Sequence, residues 1–146
     1  MFVRFYITIS GAHFQPTLTI DKLNTSLVIK EVITDYSFGD WNMLQLFHQN
    51  EFSKEYYDGE YEQEFVDFFK NNYELLKTYG AEDFTLMMDI YYCDQCNFEI
   101  FDKDKLPELA KGDVSLPISV YYLEPDDYYN DLYYKLNHNL EYGERL

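Results

Sequence analysis

The fold class this chain predicts is α+β: an antiparallel sheet of about six strands with helices packed mainly on one face. Three observations predict it. Stretches of two-residue apolar alternation recur along the chain, Tyr61–Tyr79 changes to three- and four-residue spacing, and turn residues punctuate both at short intervals. At 146 residues the chain reads as one domain, 1–146, with 124–146 as a C-terminal helical extension. That length buries a sizeable core without disulfides or metals.

Each element has its own reason. Residues 2–10 alternate, with Val3, Phe5, Ile7 and Ile9 on one side and Arg4, Tyr6, Thr8 and Ser10 on the other, which predicts a strand with one buried face ended by Gly11. Pro16–Leu23 predicts a short helix, because proline suits a first turn and Ile20 and Leu23 form a small apolar stripe. Ser26–Ile33 is rich in β-branched residues and predicts a second strand. Asp35–Asp40, with Gly39, reads as a turn before a strand over Trp41–Phe47. Glu51–Glu60 is polar and reads as a loop or a frayed helix start. Across Tyr61–Tyr79 the residues Tyr61, Phe65, Phe68, Phe69, Leu75, Leu76 and Tyr79 make one helical face, and Gly80 stops the helix.

Glu82–Cys93 alternates again. A turn at Asp94–Gln95 and the segment Asn97–Phe101 complete an expected hairpin. Asp102–Ala110 predicts a short helix with Asp102 as N-cap and Gly112 past its end. Leu116–Leu123 predicts the last strand, and Pro117 places it at an edge or at a first pair. Beyond Pro125, Asp126–Leu140 carries a helical stripe of Tyr129, Leu132, Tyr133, Leu136 and Leu140. The expected order is β-α-β-β-α-β-β-α-β-α.

Charge narrows the function classes. The chain has 27 Asp and Glu against 11 Lys and Arg, a net charge of −16. Residues 1–50 hold only Arg4, Lys22 and Lys30 against Asp21, Glu31, Asp35 and Asp40, so 8 basic and 23 acidic residues fall in 51–146. That stretch also holds 14 of the 16 tyrosines. Phosphate backbones and anionic membranes would repel such a surface, so direct nucleic-acid or membrane binding is not expected. A cationic protein would be drawn to it. Aromatic residues make up 20% of the chain, which argues against acidic disorder. The absence of a long apolar run, of a signal-like N-terminus and of a cysteine framework points to a cytoplasmic protein.

Motifs for chemistry are weak. Cys93 and Cys96 form a lone CxxC in an expected hairpin turn, without a second pair or histidines at ligand spacing. His13, His48 and His138 are scattered and read as surface or capping residues. Carboxylate pairs are abundant in so acidic a chain and single out no site. Asp102-Lys103-Asp104 lacks the glycine and closing glutamate of a calcium loop. No cofactor or metal is expected, and no catalytic residue is assigned. Two stretches stand out instead, Glu51–Glu64 and Tyr121–Tyr134, in which acids and tyrosines interleave. Tyrosine supplies large contact area at low entropic cost, and carboxylates meet a partner's Arg and Lys.

The order of elements carries a resemblance. Ile9-Ser10-Gly11 followed by Phe14, Pro16, Ile20 and Leu23 resembles the opening of a small bacterial family of domains of unknown function. Phe65–Leu76, Phe84-Thr85-Leu86, Asn97-Phe98-Glu99-Ile100, Leu106-Pro107-Glu108-Leu109-Ala110 and Ile118-Ser119-Val120-Tyr121 are similar to that family's later helix, strand, hairpin, helix and strand. The similarity runs from about Phe5 to Leu123. It departs from the family at Asn24–Asp40, where members carry a proline and a glycine-rich turn, and in the added terminal helix. Members resemble toxin-immunity proteins, which neutralise a toxin encoded beside them, and the resemblance brings no catalytic residues with it.

The expectation is an acidic intracellular immunity protein, not an enzyme. It would bind a cognate bacterial toxin, a basic protein such as a nuclease, and occlude its active site. Asp58, Glu60, Glu62, Asp126, Asp127 and Asp131 would pair with the toxin's basic residues, and Tyr128 and Tyr134 would pack as anchors. The alternative is a phage- or plasmid-encoded DNA mimic, which needs carboxylates spaced like phosphates along an elongated surface. An enzyme would need a pocketed carboxyl of strongly raised pKa.

Overall fold

The computed structural model describes residues 2–34, 41–51, 61–94 and 101–127. They form an α+β domain on a six-stranded sheet. The strands are β1 (Phe2–Gly11), β2 (Val28–Ile33), β3 (Asn42–Phe47), β4 (Asp83–Tyr92), β5 (Val114–Ser115) and β6 (Ile118–Tyr122). Among the described residues the helices are α1 (Glu62–Thr78), α2 (Leu106–Lys111) and α3 (Pro125–Asp127). Two 3₁₀ turns, Pro16–Leu18 and Ile20–Lys22, stand where one short helix was expected. The Thr19 hydroxyl donates to the Pro16 carbonyl at 2.7 Å at the junction, which closes the first turn tightly rather than extending it.

The sheet runs β2-β3-β1-β4-β5, with β6 also on β4. β1 lies at the centre, antiparallel to β3 and β4, with Ile7 opposite both Leu46 and Leu86. The expected all-antiparallel sheet is corrected at one edge, where β5 and β6 run parallel to β4. Their registers agree, since Phe84 faces Val114 and Met88 faces Ile118. β5 and β6 are therefore one edge strand interrupted at Leu116–Pro117, where proline withholds an amide. A parallel neighbour needs a crossover rather than a tight turn, and α2 lies in it. The expected strand Asn97–Phe101 lies outside the described residues except for Phe101, which is a buried bend. The expected helix Asp126–Leu140 is described only through Asp127.

One face of the sheet and α1 make the core. Phe5, Ile7, Ile9, Leu44, Leu46, Phe84, Leu86 and Met88 pack with Phe65, Val66, Phe68, Phe69 and Leu76. Rings meet edge-on or tilted, Phe5 with Phe65 at 5.7 Å and Phe69 with Phe84 at 6.5 Å, as aromatic quadrupoles favour. The helical stripe includes one polar residue, Asn72. Its amide accepts from Asn24 N–H at 2.8 Å and donates to the Asn24 and Phe68 carbonyls at 3.0 and 2.8 Å, tying α1 to the loop before β2. Gly80, after α1, has φ +89°, and a side chain there would meet the His13 carbonyl oxygen at 2.5 Å. The end of α1 and the end of β1 thus approach as closely as backbone allows.

Candidate functional site

Three polar constellations rise from this frame. The first lies on the sheet face opposite α1. Arg4 of β1 stands directly across from Asp89 of β4 and donates to it from Nη2 at 2.7 Å. Its Nε lies 3.2 Å from Glu51 Oε1, and its guanidinium sits over the rings of Tyr6 and Phe47. Tyr6 and Phe47 stack at 5.0 Å. Asp89 and Glu51 are both buried, so Arg4 lies between two desolvated carboxylates. Burial raises the pKa of Glu51 to about 7; Arg4 and Lys30 pull it down, and Asp89 adds to the rise. A carboxyl titrating near neutrality is what general acid–base chemistry wants. Here it faces Arg4, and the cluster works as a clasp joining β1, β4 and the turn after β3.

The second constellation is His48, Glu64 and Ser26. His48 is buried, contrary to the surface position expected of it, although its capping role is present: Nδ1 accepts from the Asn50 N–H at 3.0 Å. That leaves Nε2 to donate to Glu64 at 3.1 Å. Ser26 Oγ donates to the other Glu64 oxygen at 2.6 Å. The carboxylate stands between hydroxyl and imidazole, whereas an activated serine needs the imidazole in the middle. This chain of bonds anchors the first turn of α1 to β3 and to the loop before β2.

The third constellation is the end of the edge strand. Ile118, Val120, Tyr121 and Tyr122 are 41, 55, 45 and 53% exposed, which is high for apolar and aromatic residues of a strand. Tyr121 stacks on Tyr91 at 5.0 Å and Tyr122 meets Tyr92 edge-on at 5.5 Å, so both rings are held while keeping a free face. Glu124, Asp126 and Asp127 follow, all exposed. The Glu124 carboxylate raises the pKa of Tyr122, which keeps its phenol neutral.

Of the expected partner-binding residues, Asp126 and Asp127 lie in this third region. Glu62 lies elsewhere, half-buried at the start of α1 and paired with Lys105 at 3.4 Å, where it joins α1 to the turn before α2. Asp58, Glu60, Tyr128, Asp131 and Tyr134 lie outside the described residues. Cys93 is half-buried at the end of β4, and Cys96 is outside the described residues. Among the described residues no cluster of His, Cys, Asp and Glu is arranged to hold a metal, and no helix is long and apolar enough to cross a membrane.

Sequence reading missed the Arg4 clasp and the buried His48. Arg4 and Asp89 each occupy a polar-face position, and only the strand register brings them together. Asn72 left a clearer trace, because it interrupts an apolar stripe at a position that helical spacing buries. No protein-family model, curated protein or solved structure matches the chain.

Proposed function

We propose that this chain is an acidic inhibitor of a basic protein, of the immunity kind, which binds a cognate toxin inside the cell and covers its active site or substrate groove. The observation that carries the reading is the third constellation. Fixed, half-exposed tyrosines run directly into three exposed carboxylates, which combines packing anchors with charge. The internal pairing of several polar side chains supports action by binding rather than by chemistry. Arg4 pairs with Asp89, His48 with Glu64, and Asn72 with the Asn24 backbone. The resemblance of the element order to immunity-like domains points the same way.

The DNA-mimic alternative draws less support. Exposed acids at Asp21, Glu31 and Asp104 sit on separate elements and those at Asp67 and Glu74 on α1, with exposed Lys22, Lys30, Lys70, Lys77 and Lys103 among them, rather than in one phosphate-like row. The deciding experiment is calorimetry of the purified protein with the toxin-like protein encoded beside its gene. A complex that weakens with salt, and that abolishes the toxin's activity, is the expected result. No complex at micromolar concentration and low salt overturns the proposal.

A further inference from the structure

The two edges of the sheet differ. β2, at one edge, carries exposed Lys30 and Glu31 and a register shift between Ile29 and Glu31. Charges and bulges are the devices by which edge strands avoid pairing with other chains. β6, which among the described residues is the other edge, has neither. Its sequence, Ile-Ser-Val-Tyr-Tyr, contains no charge, and no Lys or Arg occurs between Lys111 and Lys135.

Backbone direction along β6 follows from two hydrogen bonds. Met88 N–H donates to the Pro117 carbonyl at 3.0 Å, and Leu123 N–H donates to the Tyr92 carbonyl at 2.8 Å. Residues 117 and 123 therefore turn their backbone groups toward β4. Backbone groups of a parallel pair alternate along each strand, so 119 and 121 do the same, and Ile118, Val120 and Tyr122 direct both N–H and C=O outward. Pro117, which could have blocked the edge, is one of the inward-facing residues. Its missing amide costs the outer edge nothing.

We infer that the outer edge of β6 is a strand-addition site, occupied by an extended segment of a basic protein. The segment would take up the outward backbone groups of Ile118, Val120 and Tyr122 and lay apolar side chains against theirs. Its Lys or Arg residues would lie at the end next to Glu124, Asp126 and Asp127. Charge selects this occupant over a second copy of the chain, because two copies pairing through β6 would bring two net charges of −16 together. The inference takes the partner's basic character from the proposed function and adds the mode of docking.

The test is amide hydrogen exchange by NMR on the full chain. One probe is an end-blocked synthetic peptide of alternating valine and threonine with a lysine at each end. The other is the toxin-like protein encoded beside the gene. In the free protein the Ile118, Val120 and Tyr122 amides should exchange quickly, and bound probe should slow them about tenfold or more. The same peptide with glutamates for lysines should give no protection. Val120→Pro should abolish peptide binding, since it removes an outward amide and no bond to β4, and Ser119→Thr, at a residue whose backbone groups face β4, should preserve it. Lysine peptide at millimolar concentration without protection at these three amides overturns the inference. A toxin that binds while they exchange unchanged also overturns it, and leaves the proposed function standing. A toxin that does not bind overturns the proposed function, and the peptide then decides the edge by itself.

Discussion

Replacing Glu51 by glutamine should stabilise the protein at alkaline pH and remove part of its pH dependence. Glu51 is buried beside Arg4, which already donates to Asp89 at 2.7 Å, so the two carboxylates share its guanidinium. Lys30 and Arg4 favour ionisation of Glu51, but burial outweighs them and its pKa rises from 4.5 to about 7. A raised carboxyl pKa means that the folded state binds the proton more tightly than the unfolded state. Below pH 4.5 both states are protonated and the group costs nothing; between 4.5 and 7 stability falls as pH rises; above 7 the loss is complete. Each tenfold gain in proton affinity corresponds to about 1.4 kcal/mol, so the full loss is about 3 kcal/mol, and about 2–3 kcal/mol of it lies between pH 5 and pH 8. Glutamine keeps the shape and hydrogen-bonding capacity of the side chain without the charge, while Arg4 keeps Asp89. Urea denaturation of both proteins at pH 5, 6, 7 and 8 isolates the effect, because every other titrating group is common to them. The gap between Glu51→Gln and the parent should widen in favour of the variant by about 2–3 kcal/mol from pH 5 to pH 8. Parallel stability curves, or a variant that loses ground as pH rises, would mean that burial does not raise the Glu51 pKa in the folded protein.

Further perturbations test the frame and the binding surface. Asn72→Ala leaves the Asn24 backbone groups without their partner and should cost about 2 kcal/mol in urea denaturation; a cost below about 0.5 kcal/mol would show that those bonds are not needed. Gly80→Ala places a side chain at φ +89° against the His13 carbonyl and should cost about 2 kcal/mol, read as a lowered Tm. Asp127→Lys should weaken binding to the toxin about tenfold at low salt, mostly through slower association measured by stopped flow, with the difference shrinking at high salt. Glu62→Lys should behave differently. It breaks the pair with Lys105 and should lower stability by about 0.5–1 kcal/mol in denaturant titration, against no measurable stability change for the exposed Asp127.

Much of the fold was legible because burial is written into spacing. The alternation of Phe5, Ile7 and Ile9 and the stripe of Phe65, Phe68, Phe69 and Leu76 each name a buried face, and those residues are the core. Pro117 pointed to an edge or a first pair, and it stands at the break between β5 and β6. The parallel direction of that edge was not legible, because alternation is the same in parallel and antiparallel pairs and only the route of the connection sets the direction. In the third constellation, Asp126 and Asp127 could be read from composition, but the fixed rings of Tyr121 and Tyr122 needed Tyr91 and Tyr92 from another strand.

By itself, then, the sequence determined which residues seek the interior, where α1 begins and ends, and that the surface is strongly acidic. These are local or summed properties, and each is set by the residues that display it. The tertiary structure alone decided that Arg4 meets Asp89 and Glu51, that His48 is buried against Glu64, and that β6 pairs in parallel with β4 and leaves Ile118, Val120 and Tyr122 exposed. Each of those depends on strand register or pairing between segments far apart in the chain, and the free energy that selects a register is shared among all the residues the pairing brings together.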